Sequence, residues 1–345
     1  MTIPWDLVSP SRILVRATNW IGDAVMSIPA LEALRGRFPD AHITILARPW
    51  VSDVYHNATF CDAIELYTPK PGIKDWRGKL ALARQLQAKR YDAALILPNS
   101  FDSALICRLA GIPVRIGYSR DGRGVLLTHA VPRPADSTHE RFYYLELLKR
   151  AGWLEEFPDH EAPIRLRTAP RPFTDLGLPG DVIGLSPGAA FGTAKRWLPE
   201  RFAGSAAVLA RQWNAGVAIF GSKDERPVAE LVAQGVRERG IEVRNLAGQT
   251  SLREFIERLA ACRFFLTNDN GAMHLAAAVG VPTLAVFGST DYNTTGPTGD
   301  STRIVREPVE CSPCLKRECP IDHRCMTRVT VDRVIEEALA LRGNR

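Results

Sequence analysis

Three polar, glycine-containing segments carry residue types that could do chemistry on a bound ligand. Residues 19–31 (NWIGDAVMSIPAL) place Gly22 and Asp23 where a buried strand gives way to a helix. A carboxylate there can accept a proton from a substrate hydroxyl, or it can simply cap the helix. Residues 186–197 (SPGAAFGTAKRW) hold Ser186, Gly188, Thr193 and Lys195 between a strand and a helix that opens at Pro199. Small residues let backbone amides approach a phosphate, and Lys195 adds a positive charge. A flexible surface loop with one solvated lysine is the alternative. Only two residues separate Gly192 from Lys195, so this is not a Walker loop, and residues 19–31 contain no GxGxxG. Residues 267–274 (TNDNGAMH) set Asp269, Asn270 and Gly271 ahead of a short Ala-rich helix carrying His274. They could cap that helix, or they could present amides to an anion and side chains to sugar hydroxyls. Residues 288–293 (GSTDYN) close the same surface.

These loops need strands and helices to hold them. Arg12 to Arg16 reads as a buried strand, followed by a helix over 24–37, a strand over 41–47 and another over 91–97. Residues 168–180 contain three prolines and two glycines and read as a linker. Strands are then expected over 181–186, 216–221, 263–267 and 281–287. Helices are expected over 199–213, 224–239, 251–261 and 272–280, with a last amphipathic one over 330–341. Alternating strands and helices imply parallel sheets, which bind ligands at the carboxyl ends of their strands. The expected domains are 1–172 and 181–328, with 330–345 as a C-terminal helix, and the polar strand ends suit an acceptor in the first and a bound nucleotide diphosphate in the second.

A chain of 345 residues suits two domains of this kind, and 46% hydrophobic with 24% charged residues is ordinary globular composition. No uninterrupted apolar run reaches about 18 residues, and the first eleven residues lack a signal-peptide pattern. A cytoplasmic protein is expected. The net charge is +6, and residues 70–123 hold eleven Lys or Arg against four Asp or Glu. Such an excess attracts an anionic membrane, a phosphorylated substrate or nucleic acid. No RNA-binding aromatic motif or zinc finger supports nucleic acid.

Taken together, these segments resemble the ADP-heptose:lipopolysaccharide heptosyltransferases of glycosyltransferase family 9, most closely their type II members. The resemblance rests on Gly22-Asp23 with residues 27–31 (SIPAL), on Pro187-Gly188 with residues 194–197 (AKRW), and on residues 267–278 running into 280–283 (GVPT). Residues 115–128 (RIGYSRDGRGVLLT) and 311–320 (CSPCLKRECP) add to it. It implies an α/β, GT-B fold: two facing Rossmann-like domains with parallel sheets and an interdomain cleft. It implies inverting transfer from ADP-L-glycero-β-D-manno-heptose to a heptose of the lipopolysaccharide inner core. The acceptor would be a heptosylated lipid A–Kdo at the inner membrane surface, which a cytoplasmic enzyme could meet as a peripheral protein on the cytoplasmic face. Carried over position by position, Asp23 is the general base, Lys195 meets the donor pyrophosphate, Asp269 holds heptose hydroxyls, and amides near Asn270 and Gly271 lie by the phosphates. Ser186, Gly188, Thr193 and His274 complete the expected donor site. Many relatives have Ser or Thr where this chain has Asn270. Arg120 and Arg123 are assigned to the acceptor, because arginine forks suit phosphate.

No metal or other cofactor is required by this scheme, since Lys195 and helix amides can bear the charge on departing ADP. Cys311, Cys314, Cys319 and Cys325 form a C-x2-C-x4-C-x5-C pattern beside His323. Four thiolates could hold structural zinc, but the spacing matches no named zinc motif and reduced thiols in a folded loop are favoured. Competing functions are another GT-B nucleotide-sugar transferase, an epimerase, or a non-catalytic nucleotide-sugar-binding protein.

Overall fold

The computed structural model describes residues 9–70, 75–134, 138–157, 162–178 and 180–343. It divides into two units, Met1–Ala162 and Pro163–Arg345. The first alternates strands β1 (Arg12–Arg16), β2 (His42–Ala47), β3 (Ala63–Leu66), β4 (Ala93–Ile96), β5 (Val114–Tyr118) and β6 (His129–Val131) with helices. These are α1 (Ile21–Met26), α2 (Ile28–Arg37), α3 (Trp76–Ala88), α4 (Phe101–Leu109) and α5 (Glu140–Arg150). The second has strands β7 (Val182–Ser186), β8 (Gly216–Ile219), β9 (Val243–Asn245), β10 (Phe264–Asn268), β11 (Thr283–Val286) and β12 (Thr302–Val305). Its helices are α6 (Pro199–Trp213), α7 (Arg226–Arg237), α8 (Leu252–Ala260), α9 (Gly271–Ala278), α10 (Tyr292–Thr295), α11 (Arg324–Thr327) and α12 (Val331–Gly343).

The first sheet runs β3-β2-β1-β4-β5-β6 and the second β12-β11-β10-β7-β8-β9, all pairs parallel. Counted within each unit, the first follows the order 3-2-1-4-5-6, and the second, 6-5-4-1-2-3, is the same order read from the other edge. In that topology the connections leave in opposite directions from the two central strands, which opens a crevice at their carboxyl ends. The crevice lies between β1 and β4 in the first unit and between β7 and β10 in the second. The central strands are buried on both faces, as their unbroken apolar runs require. In the second unit Ile183, Leu185, Phe264 and Leu266 join Phe202, Trp213 and Val232 of the flanking helices in one core.

The helix expected over 24–37 is two helices. Pro29 lacks an amide for the residue-25 carbonyl and crowds it, so the chain breaks at Ser27, whose Oγ instead donates to the Ala24 carbonyl at 2.8 Å. The division between units falls after Ala162 rather than within 168–180. Residues 163–178 belong to the second unit because their backbone is tied to it: the Leu166 amide donates to Ala278 O at 2.9 Å and the Arg171 amide to Glu257 O at 2.9 Å. The last helix is not separate either, since Val334, Ala338 and Leu341 enter the second core.

Candidate active site

In the second unit, β7 and β10 end side by side with Ser186 paired to Thr267. Asn268, the last residue of β10, is wholly buried; it accepts from the Trp197 amide at 2.9 Å and donates to the Pro187 carbonyl at 2.7 Å. One amide side chain therefore fixes both ends of the loop over 187–197. Asn270 is the N-cap of α9: its Oδ1 accepts from the Met273 amide at 3.2 Å, and its Nδ2 donates to Ser186 Oγ at 3.0 Å and Gly188 O at 2.8 Å. That side chain is spent on capping and tethering, which leaves the Gly271 helix start to present amides. Between these two asparagines, Asp269 Oδ2 accepts from Lys195 Nζ at 2.6 Å and from Thr290 Oγ1. Both ions are largely withdrawn from water, with side-chain exposures of 13% for Lys195 and 5% for Asp269. Such a pair is costly to form and costly to break by removing one partner.

The loop carrying Thr193 and Lys195 is also held from outside. The Ala194 amide donates to Arg317 O at 3.0 Å, and the His323 ring lies 3.0 Å from Ala194 O. A side chain at Gly192 would meet Arg317 O at 2.2 Å, and one at Gly188 would meet the Glu225 carboxylate at 2.2 Å. Gly192 is needed for the close approach of the neighbouring backbone, whereas at Gly188 the nearest atoms belong to the Glu225 side chain. His274 lies buried on α9, one turn from the helix start.

In the first unit Asp23 is the third residue of α1, and Trp20, not Asp23, is the N-cap. The capping alternative for Asp23 is thereby removed. The loop before it is anchored at Asn19, which accepts from Arg16 Nη2 at 2.7 Å through its side chain and from Trp50 Nε1 at 3.0 Å through its carbonyl. The Arg16 and Arg48 guanidiniums lie 4.1 and 4.2 Å from the centre of the Tyr67 ring, and burial lowers Arg16 to about 10. Glu140, at the start of α5, faces Asp23. Burial raises its carboxyl to about 7; the nearby Asp23 charge pushes the same way and Arg133 opposes. Tyr144, one turn along α5, is buried beside both carboxyls and pushed up by burial first and then by their charges.

The two arginines assigned to the acceptor part company. Arg120 is exposed, 3.5 Å from Asp121. Arg123 is wholly buried, donating to Tyr118 O at 2.8 Å, to Pro98 O and to Asn99 Oδ1 at 3.3 Å. It braces the loop after β5 and presents nothing to an acceptor. Among the described residues no group of three or more His, Cys, Asp or Glu is placed to hold a metal. Cys311, Cys314, Cys319 and Cys325 are free thiols, and Cys325 is pushed up to about 11 by burial and then by its three neighbours. The cysteine segment ties down the loop after β11, because Leu315 N donates to Ser289 O at 2.7 Å and Ser312 Oγ to Gly288 O at 2.6 Å.

Sequence reasoning did not single out Asn268, Thr290, Glu225 or Glu140. A polar residue closing a buried strand signals Asn268. Nothing local signals Glu140, which only the packing of α5 against α1 brings to Asp23.

The sequence profile of glycosyltransferase family 9 (heptosyltransferase) matches residues 79–324. The chain is 31% identical to lipopolysaccharide heptosyltransferase 2 of Escherichia coli K12, over 96% of this chain and 98% of that one. The chain belongs to glycosyltransferase family 9. Lipooligosaccharide heptosyltransferase 2 of Campylobacter jejuni is 28% identical over 96% of this chain and 99% of its own. Among solved structures, E. coli ADP-heptose lps heptosyltransferase II superposes with a TM-score of 0.80 at 29% identity, covering 96% of this chain and 98% of that one. A family 9 glycosyl transferase from Veillonella parvula shares the fold, with a TM-score of 0.83 at 21% identity over 97% and 98% of the two chains. The chain is thus a glycosyltransferase of the heptosyltransferase family, with the two parallel sheets of the GT-B class. No described helix is long and apolar enough to cross a membrane.

Proposed function

We propose that this enzyme transfers heptose from ADP-heptose to a heptose of the lipopolysaccharide inner core by a single inverting displacement. The second unit holds the donor and the first supplies the base. The observation that carries this reading is the Lys195–Asp269 pair, a desolvated cation beside the start of α9 at the switch point of a parallel sheet. Fixed cations and amide donors in such a place bind a pyrophosphate and bear the charge that develops as ADP leaves.

Asp23 takes the proton of the acceptor hydroxyl as that oxygen bonds to the anomeric carbon, while the bond from that carbon to the β-phosphate oxygen breaks. Lys195, the Gly271 amide and the amides of residues 188–193 receive the diphosphate. Asp269 orients Lys195 and accepts from heptose hydroxyls, and Thr290 keeps Asp269 in place. Ser186 and Asn270 act through the loops they tie, and His274 is a buried residue in the first turn of α9. Arg120 meets an anionic substituent of the acceptor, whose lipid anchor brings the enzyme to the cytoplasmic face of the inner membrane. Every step uses this chain's own groups.

General-base catalysis contributes roughly 10²–10⁴ in rate. Asp23→Ala is therefore expected to lose about that much turnover while its affinity for ADP-heptose, read by calorimetry, stays within about twofold of wild type. Unchanged turnover would remove Asp23 as the base.

A further inference from the structure

Among the described residues, the exposed large apolar side chains of the first unit are Trp20, Trp50, Leu66, Trp76, Phe101 and Val125, each between 45% and 84% exposed. Their positions in the chain are not scattered. Trp20 comes after β1, Trp50 after β2, Leu66 ends β3, Trp76 opens α3 after β3 and Phe101 opens α4 after β4, whereas Val125 lies in the connection that returns from β5 to the start of β6, beside Leu126, whose carbonyl accepts from Arg115 Nε at 2.7 Å. In a parallel sheet every carboxyl end lies on the same edge, so the first five stand along one rim. From β3 to β5 that rim spans four strand spacings, about 19 Å. The same loops and helix starts expose Lys70, Arg77 and Arg120, against the exposed carboxylate of Asp121. The opposite edge has another character: Asp92 accepts from the Ser11 and Arg12 amides at 2.8 Å, and Asp62 from the Ile43 amide at 2.7 Å. There carboxylates take up backbone amides, and Arg35 pairs with Asp62.

Exposing three tryptophans and a phenylalanine to water is unfavourable unless something covers them. Indole rings with flanking cations are what a membrane interface recruits, the ring settling at headgroup depth and the cations meeting anionic lipid. A rim of this length exceeds what one or two sugar rings could cover, and its positive charge selects an anionic surface. We propose that the carboxyl-end rim of the first sheet is a membrane-docking surface for an anionic phospholipid bilayer, seating the unit that carries Asp23 against the lipid in which its acceptor is anchored. The biological sense of this docking rests on the lipid-anchored acceptor proposed above; the docking itself does not.

The test separates the two. Wild type and a Trp76→Ser/Phe101→Ser variant, which leaves the catalytic groups untouched, are sedimented with vesicles of phosphatidylcholine alone or with about 30 mol% phosphatidylglycerol. Both are also assayed on a vesicle-borne acceptor and on a delipidated, water-soluble one. The expected result is that wild type binds the anionic vesicles, is released by salt and ignores the neutral ones. The variant, with an unchanged melting temperature, binds at least about tenfold more weakly and loses a similar factor in kcat/KM on the embedded acceptor only. The proposal is overturned if wild type does not bind anionic vesicles, or if the variant binds as well as wild type. It is equally overturned if the variant loses as much on the soluble acceptor, because the rim then holds glycan. Vesicle binding needs no donor, so an enzyme inactive on ADP-heptose but bound to lipid would sink the donor reading and leave this one standing.

Discussion

At the switch point of the second sheet, Lys195, Asp269 and Thr290 are locked together and flanked by two asparagines that each tie separate loops. At the same point of the first sheet stand two carboxyls, Asp23 and Glu140, with tryptophans exposed around them. The strand orders are the same; the finishing differs. A closed, charge-paired knot pre-organises a site for one small anionic ligand, because little remains to be ordered on binding. An open edge with a base leaves room for a large acceptor. Identical topology therefore says where each site lies, and only the loops say what it takes.

Lys195 is the place to break this contrast most sharply. Lys195→Met removes a cation from the diphosphate and strands Asp269, so kcat/KM is expected to fall about 10²–10³-fold, with a parallel loss of ADP affinity by calorimetry. An unchanged ADP affinity would mean that the knot is structural and the donor lies elsewhere. A smaller effect is expected at Asn270. Asn270→Ala removes the α9 cap and the ties to Ser186 and Gly188, costing about 1–2 kcal/mol and lowering the melting temperature, while Asn270→Asp keeps the cap and recovers part of it. Equal melting of all three proteins would contradict the tethering role.

Glu140 sharpens the other side of the comparison. Its carboxyl titrates at about 7 in the folded protein, above the ordinary 4.5. The native state therefore binds this proton more tightly than the unfolded chain, and stability falls as pH rises from about 4.5 to 7, then levels. Glu140→Gln removes that dependence. The variant should match wild type near pH 4.5 and exceed it by about 1–3 kcal/mol above pH 7, as read by denaturant melts at each pH. A difference that does not change with pH would mean that Glu140 is not held protonated beside Asp23.

Much of this architecture is legible in the residues alone. The buried strands β1, β4, β7 and β10 announce themselves as apolar runs, and the segments immediately after β1, β7 and β10 carry Asp23, Lys195 and Asp269 in turn. The edge strands β3, β6, β9 and β12, three or four residues long and partly exposed, have no such run and leave no signal. The break at Ser27 is readable from Pro29. Arg123 is not readable: a loop arginine looks like a ligand-binding group, and only the fold reveals that it turns inward to the carbonyls of Pro98 and Tyr118. The linker is misplaced by sequence because proline and glycine mark extended chain, whichever unit that chain adheres to.

The most direct measurement is ADP release from ADP-heptose with lipopolysaccharide core acceptors that carry no heptose or one. Release that requires the acceptor, and that is at least about tenfold faster with the one-heptose core, is the predicted result. Release at equal rates on both acceptors, or none on either from folded protein that binds ADP, would contradict the proposed transfer to an inner-core heptose.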